Sequence, residues 1–238
     1  MSKRLGDILL AMAVLACTSP LLLAAMLAIW LQDGHPPLYR AIRVGQGGRD
    51  FRMIKLRTMV RDAERRGGSS TAKSDARVTR LGRLLRRWKL DELPQFWNVL
   101  VGEMSVVGPR PNTREGGVDR YTAEEMRLLS VRPGITDLAS IVFSDEGDIL
   151  DGAADPDALY DAVIRPWKSR LALFYVDHAD SAVDLRIIGL TALAIIAKRR
   201  ALASVDAILA RWGAGAELRR VCRRRVSLTP AEPPGVAI

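Results

Sequence analysis

Two adjacent acidic residues, Asp91 and Glu92, are the side chains of this sequence with the clearest potential for chemistry. They follow an arginine-rich segment and precede Pro94, and proline is well tolerated in the first turn of a helix but destabilises a helix interior. A helix is therefore predicted to begin near Asp91. A helix start keeps a carboxylate ionised and attracts phosphate. From the residues alone, Asp91 is open to two interpretations, a nucleophile that attacks phosphorus and a helix N-cap.

Metal-cluster and histidine-centred chemistry find little support in the sequence. The chain has two histidines and two cysteines. We expect His35 to lie in a loop and His178 to be structural or solvated. Cys17 lies in an apolar run and Cys222 in a basic tail, so no disulfide framework is predicted.

The apolar segment from Ile8 to Leu31 has no charged residue over 24 positions. As a helix it would be about 36 Å long, which is enough to cross the hydrocarbon core. Pro20 predicts a kink or break near its middle, with the Ser19 hydroxyl as a local hydrogen-bond partner. A kinked spanning helix and a re-entrant helix both remain open. Basic residues at both ends favour re-entry, with residues 1–5 and the rest of the chain on one face.

The elements expected to position Asp91 are a β-hairpin and a basic amphipathic helix. The hairpin is predicted from two β-like runs around a glycine-rich turn, Leu38–Val44 and Phe51–Met59. A polar stretch, 61–75, is predicted to be a mobile loop. From Val78 onward, apolar residues recur on one face and arginines occupy the rest, which predicts a helix that lies in a membrane interface.

The basic balance of the chain, with 36 Lys and Arg against 27 Asp and Glu, gives a net charge of +9. Such a charge suits nucleic acid, an anionic membrane or a polyphosphate substrate. Aromatic residues make up only 5% of the chain, and no nucleic-acid reading motif is recognisable, so nucleic acid is not expected as a partner. The remaining alternative to an enzyme is a membrane-docked module that binds anionic lipid or a partner protein through its basic face. Docking alone has no need for the Asp91–Glu92 pair.

Several ordered motifs resemble the bacterial sugar transferases, the monotopic phosphoglycosyl transferases, over residues 3–196. The main block is Lys89-Leu-Asp-Glu-Leu-Pro-Gln95, then Asn98-Val-Leu, then Gly102-Glu-Met-Ser-Val-Val-Gly-Pro-Arg-Pro111. Further matches are Lys3-Arg-Leu-Gly-Asp7, Ser19-Pro20, Phe51 with Lys55-Leu-Arg-Thr-Met59, and Val131-Arg-Pro-Gly-Ile-Thr136. After Thr136 the sequence departs from the pattern of many relatives, through Asp137-Leu-Ala-Ser140 and Ser144–Ile149. This departure suggests a subgroup with a different sugar or a different local partner.

The resemblance implies that Asp91 is a covalent nucleophile. It would attack the sugar-proximal phosphate of a UDP-sugar, release UMP and pass the phosphosugar to polyprenyl (undecaprenyl) phosphate, as the first membrane step of glycan biosynthesis. A Mg²⁺ ion would be held near Asp91. Glu92 would orient the site or assist the acceptor. Arg110 is the expected phosphate contact, since guanidinium pairs bidentately with phosphate.

Three further residues are weaker candidates for the substrate site. Lys55 and Arg57 lie in one matched motif, and Asp184 matches a further acid of the family. The same resemblance implies an α+β, mostly helical, monotopic fold with a re-entrant N-terminal helix, a small hairpin and interfacial amphipathic helices. The expected segments are a membrane helix (1–34), a catalytic domain (35–197) on the cytosolic face of the bacterial inner membrane, and a basic C-terminal extension (198–238). The sugar and the oligomeric state, including a homo-oligomer, stay open.

Overall fold

The structure, a computed structural model, describes residues 3–63, 65, 67, 68 and 70–236. Positions 1 and 2 of the predicted N-terminal flank lie outside the described residues, as do positions 64, 66 and 69 of the predicted 61–75 loop. The fold is α+β and mostly helical, as predicted. The nine helices and four strands of the described part are α1 (Lys3–Asp33), β1 (Leu38–Val44), β2 (Asp50–Leu56), α2 (Arg80–Arg87), α3 (Gln95–Val101), β3 (Ser105–Val107), β4 (Gly134–Thr136), α4 (Leu138–Val142), α5 (Glu146–Ile149), α6 (Pro156–Leu159), α7 (Arg165–His178), α8 (Ser181–Arg211) and α9 (Ala216–Arg223).

Helix α1 continues through Pro20 and is long and apolar enough to cross a membrane. Proline has no N–H to donate to the carbonyl of Ala16, and the Ser19 hydroxyl donates to that oxygen at 2.9 Å instead. The Thr18 hydroxyl donates to the Val14 carbonyl at 2.7 Å. The Ser19 hydroxyl is therefore a local hydrogen-bond partner, as expected. Helix α1 has no break at Pro20, and the kink stays a prediction.

The first turns of α1 are fixed to the rest of the chain by polar contacts. Arg4 donates to the carbonyls of Val99 and Leu100 at the C-terminal end of α3, where the last turn leaves carbonyls without a partner inside the helix. The Val99 carbonyl also accepts from the Gly102 N–H. The buried Asp7 carboxylate accepts from the Ser105 hydroxyl at 2.8 Å and from the Val106 N–H at 3.0 Å. This end of α1 is therefore tied to α3 and β3.

The second half of α1 packs on a different part of the same chain. Ala25 and Ile29 are buried with Leu56 of β2 and Leu85 of α2 in a small hydrophobic cluster. No residue of α1 between Ala11 and Ala25 is buried to the same degree. Both halves of α1 thus contact the domain that follows it, while much of the side-chain surface between them is exposed.

Replacing Asp7 with Ala is expected to lower the free energy of unfolding by about 2–4 kcal/mol, because two buried donors would lose a charged acceptor. Thermal unfolding in detergent measures the change. The control is Asp177→Ala, which breaks an exposed ion pair with Arg127 and should cost under about 1 kcal/mol. Equal losses in the two variants would contradict the anchoring role of Asp7.

The predicted hairpin is confirmed, with β1 and β2 antiparallel and Leu38 opposite Leu56. Its second strand ends at Leu56 rather than at Met59, which forms an isolated bridge with Val78. A second, parallel pair was not predicted: β3 and β4 align Ser105 with Gly134.

The parallel pair fixes the segment that leads to Arg110. A Cβ on Gly134 would lie 2.1 Å from the backbone nitrogen of Gly108, so the two backbones can approach this closely only without a side chain. Gly108 and Pro109 then lead directly into Arg110. The close approach therefore determines where the Arg110 side chain begins.

The chain after residue 197 belongs to the same hydrophobic core as the preceding domain. Helix α8 contains one residue with non-helical backbone angles, Ala197, where its direction changes. Beyond it, Ala201, Val205 and Leu209 of α8 and Cys222 of α9 are buried in the main core cluster. Ala197 lies at the expected start of the C-terminal extension, and the division into domains itself stays a prediction.

Candidate active site

The Asp91–Glu92 pair lies in a short 3₁₀ turn, Leu90–Glu92, that precedes α3. Lys89 begins this turn in the left-handed conformation, at φ 57°. Helix α3 starts at Gln95, with Pro94 at its N-cap position. Helix α3 thus begins near Asp91, as predicted, but its N-cap is Pro94, so the interpretation of Asp91 as the N-cap is wrong. The fixed φ of Pro94 suits a helix boundary, so the helix starts after the proline.

Glu92 is held by two cations from separate segments. The Arg110 guanidinium forms an ion pair with the Glu92 carboxylate, and Lys55 Nζ lies 3.5 Å from Glu92 Oε1. Burial alone would raise the pKa of Glu92, but Arg110 and Lys55 hold that pKa well below its usual range. Glu92 in turn raises the pKa of Arg110. The Glu92 carboxylate thus contacts both Arg110 and Lys55, and its lowered pKa favours the ionised form.

Asp91 has a different environment from its neighbour. Its residue surface is only 7% exposed. Burial, followed by the negative charge of Glu92, raises the pKa of the Asp91 carboxyl, and the charge of Lys55 opposes this shift. Among the residues that the structure describes, none donates a hydrogen bond to the Asp91 carboxylate. The Asp91 oxygens thus lie near cations and accept no hydrogen bond from the described residues.

Arg86 is a further site residue, and its sequence pattern predicted only that it belongs to the basic face of a helix. Its Nε donates to the Thr58 hydroxyl at 2.8 Å. The positive charge of Arg86 acts to lower the pKa of Asp91. Burial lowers the pKa of Arg86, and Asp91 opposes this. Arg86 lies in the last turn of α2 and Asp91 lies in the turn that follows. The sequence could not predict that the two side chains are neighbours, because it did not show where α2 ends.

The charges around Asp91 add up to a net positive site. Two carboxylates face four cations, namely Lys55, Arg86, Lys89 and Arg110. The excess of two positive charges favours a ligand with closely spaced negative charges, such as a diphosphate. The exposed Leu84 of the adjacent α2, and the exposed Trp88 that follows this helix, add apolar surface beside this charge. The arrangement can bind a polyanion next to an unengaged carboxylate.

Two of the predicted substrate residues lie elsewhere in the structure. The Arg57 guanidinium binds both oxygens of Asp33 at 2.6 Å and so fixes the end of α1. Asp184 accepts from the Lys3 ammonium and from the Tyr175 hydroxyl, at the start of α1. The structure thus brings Lys55, Glu92 and Arg110 together with Asp91, while Arg57 and Asp184 bind the two ends of α1.

A divalent cation has a limited set of ligands in this site. Among the described residues, no group of three His, Cys, Asp or Glu side chains could hold a metal ion. Mg²⁺ is commonly held by one or two carboxylates together with substrate phosphates and water. A single carboxylate without hydrogen bonds, that of Asp91, fits this requirement.

The pH dependence of this site is expected to follow Lys55. Burial, with the nearby charge of Arg110, lowers the pKa of Lys55 to about 8. Lys55 therefore loses its positive charge as the pH rises through about 8. Any kcat/KM that depends on this charge should fall about tenfold for each further pH unit. The Lys55→Arg variant should keep its activity at high pH, because guanidinium stays charged. An identical alkaline limb in both proteins would exclude Lys55 as its source.

The comparisons agree with this combination of fold and site. The model of the bacterial sugar transferase family matches residues 1–198, and the chain belongs to that family. A UDP-N-acetylgalactosamine-undecaprenyl-phosphate N-acetylgalactosaminephosphotransferase from Aeromonas hydrophila is 42% identical over 63% of this chain and 36% of that protein. A UDP-glucose:undecaprenyl-phosphate glucose-1-phosphate transferase from Caulobacter vibrioides is 44% identical over 58% of this chain and 53% of that protein.

A third relative is closer to this chain in length. The exopolysaccharide production protein PSS from Rhizobium leguminosarum bv. phaseoli is 36% identical over 78% of this chain and 90% of that protein. The aligned part of this chain thus spans about a third of the Aeromonas relative and about half of the Caulobacter relative. It spans most of the Rhizobium relative. The Aeromonas and Caulobacter names specify different sugars, so membership of the family does not fix the sugar.

Proposed function

We propose that this protein transfers a sugar 1-phosphate from a UDP-sugar to polyprenyl phosphate through a covalent intermediate on Asp91. The observation that carries the proposal is the contrast between two neighbouring carboxylates. Glu92 is engaged by Arg110 and Lys55, whereas Asp91 lies among the same cations with no hydrogen bond from the described residues. A carboxylate in this state can act as a nucleophile toward phosphorus.

The reaction divides into two displacements at one phosphorus atom. An Asp91 oxygen attacks the phosphorus that carries the sugar, a P–O bond forms, and the P–O bond to the other phosphate breaks with release of UMP. A phosphate oxygen of the polyprenyl acceptor then attacks the same phosphorus. The aspartyl P–O bond breaks, the Asp91 carboxylate is restored, and a polyprenyl diphosphate sugar leaves. This would be the first membrane step in building a glycan.

The other charged groups have distinct roles in this proposal. Arg110 and Lys55 contact the diphosphate and offset the charge that develops on UMP. Glu92 holds both cations in position. The Asp91 carboxylate and the substrate phosphates would hold Mg²⁺. When bound, Mg²⁺ supplies neutralisation of phosphate charge.

The reaction itself is tested by measuring UMP release from a panel of UDP-sugars in the presence of Mg²⁺ and polyprenyl phosphate. We expect UMP and a lipid-linked diphosphate sugar to form in equal amounts with at least one UDP-sugar. The alternative, a non-enzymatic docking module, predicts membrane binding without UMP. Release of UDP instead of UMP would contradict the proposed bond cleavage.

We further propose that α1 is re-entrant and that the protein is monotopic on the cytosolic face of the inner membrane. Support comes from the contacts of its two halves. Arg4 and Asp7 bind α3 and β3, while Ile29 and Asp33 bind β2, α2 and the Arg57 guanidinium. A helix perpendicular to the bilayer would place these two ends in different compartments, where one domain could not contact both.

The topology is tested with single cysteines at both ends of α1. Leu5→Cys and His35→Cys are made separately in a Cys17→Ala background, because Cys17 is exposed and Cys222 is buried. An impermeant maleimide added to spheroplasts should label neither variant until the membrane is permeabilised. A spanning helix predicts that only one of the two cysteines is labelled from outside.

A further inference from the structure

A loop that joins α4 to α5 is held by two cations from the C-terminal part of the chain. Lys198 Nζ lies 2.9 Å from Asp145 Oδ2, and the Arg224 guanidinium lies 3.3 Å from the same oxygen. Arg224 also lies over the Phe143 ring, 5.6 Å from its centroid. The family model ends at residue 198, so Arg224 lies beyond it. The C-terminal extension therefore fixes the position of Asp145.

The next residue, Glu146, forms a second ion pair that the mechanism does not use. Its carboxylate binds the Lys168 ammonium of α7, and both side chains stay partly accessible, at 31% and 20%. Lys168 Nζ also lies 5.1 Å from the centroid of the Tyr160 ring. Tyr160 begins a π-helical turn, Tyr160–Ile164, and such turns are frequent at functional sites.

The charges of this pair act on Arg110 of the candidate active site. The pKa of Arg110 is raised chiefly by Glu92, and the charge of Glu146 acts in the same direction. Burial and the charge of Arg110 lower the pKa of Lys168. The contributions of Tyr160 and Glu146 outweigh them and hold this pKa above its usual value. Arg110 thus lies within electrostatic reach of Glu92 and of the Glu146–Lys168 pair.

We propose that Glu146 and Lys168 contact the sugar of the UDP-sugar donor, and that the C-terminal extension sets their position by binding Asp145. The proposal rests on the proposed function, because a sugar subsite requires a UDP-sugar donor. It assigns a role in specificity to residues of α5, α7 and the C-terminal extension.

The chemistry of the pair suits hydroxyl groups rather than phosphate. The opposite charges of Glu146 and Lys168 cancel, so the pair has no net attraction for an anion, unlike the cations around Asp91. A carboxylate accepts from hydroxyls and an ammonium donates to them, so sugar hydroxyls can satisfy both groups. A few convergent polar groups of this kind determine which ligand a site accepts.

The test compares donor selectivity in the full-length enzyme, with UMP release measured for UDP-glucose, UDP-galactose and their N-acetylamino counterparts. The double variant Glu146→Gln/Lys168→Met leaves no unpaired buried charge and so avoids the main cause of misfolding. We expect its KM for the preferred UDP-sugar to rise about tenfold or more. The kcat/KM ratio between the two best UDP-sugars should fall by a similar factor, since hydroxyl-binding groups discriminate strongly.

UDP, which lacks the sugar that is transferred, separates a contact to that sugar from a general effect on the site. Its inhibition constant should stay within about twofold in the double variant. A parallel loss of UDP affinity would overturn the proposal, and so would unchanged sugar selectivity in an active variant. If the native enzyme releases UMP from no UDP-sugar, the proposed function fails first, which is a distinguishable result.

The positioning role of the extension has a matched control. Lys198→Gln/Arg224→Gln removes both contacts to Asp145 and should shift the same selectivity ratio in the same direction, by about threefold. Arg223→Gln changes the neighbouring arginine, which binds Asp206 instead, and should leave the ratio unchanged. Equal shifts in the control and the double variant would contradict a specific role for Asp145.

Discussion

Replacement of Asp91 with Asn is expected to lower kcat by about 10⁴-fold or more, because a neutral amide is a poor nucleophile and no second carboxylate can take its place. Glu92 is adjacent, but it is engaged by Arg110 and Lys55. UMP release with saturating donor and acceptor measures the loss. The same variant should keep its thermal stability, since Asp91 neither caps α3 nor accepts a hydrogen bond from the described residues.

Asp119→Asn, at an exposed position of the same domain, is the matched control and should retain full activity. A purely structural Asp91 predicts a drop in stability that parallels any loss of activity. The proposed mechanism predicts inactivity with an unchanged melting temperature. Activity of Asp91→Asn near that of the native enzyme would refute the mechanism.

Replacement of Arg110 with Leu is expected to lower kcat about 10²–10³-fold, the usual cost of removing one group that stabilises developing charge. It should also reduce the free energy of unfolding by about 2–3 kcal/mol. This is less than a fully buried ion pair would cost, because Arg110 is one-third exposed and Lys55 still faces Glu92. Kinetic and chemical-denaturation measurements on one preparation give both values.

The double variant Arg110→Leu/Glu92→Gln separates the two effects. Removing both charges eliminates the unpaired carboxylate and should restore most of the lost stability. Catalysis should not recover, because the phosphate contact is still missing. Recovery of activity together with stability would show that Arg110 acts only as a partner of Glu92.

The local parts of the fold could be predicted from the sequence. Two β-like runs around a glycine-rich turn predicted the β1–β2 hairpin, and the position of Pro94 predicted a helix boundary close to Asp91. Pro94 was expected in the first turn of that helix, but it precedes α3 as its N-cap. The predicted basic face of α2 is present, but the exposed Leu84 and Trp88 and the buried Leu85 show that its apolar face is divided between solvent and core.

Contacts between distant segments could not be predicted in this way. Lys55 and Arg57 lie two residues apart on and just after β2, yet only Lys55 reaches Glu92, while Arg57 binds Asp33. Strand alternation places i and i+2 on one face, but the chain leaves β2 after Leu56. The parallel pairing of β3 with β4, three residues each, lacks any periodic signal of its own.

The central claim, a covalent phosphosugar on Asp91, is tested most directly by trapping it. Native enzyme is incubated with Mg²⁺ and a reactive UDP-sugar but without polyprenyl phosphate, quenched with acid, digested and analysed by mass spectrometry. We predict that the peptide containing Asp91 carries the mass of one phosphosugar, that UMP is released in at most one equivalent per enzyme, and that added acceptor removes the modification. Reproducible modification of another residue, or single-turnover transfer to the acceptor with no enzyme-bound phosphosugar at any time, would contradict the mechanism.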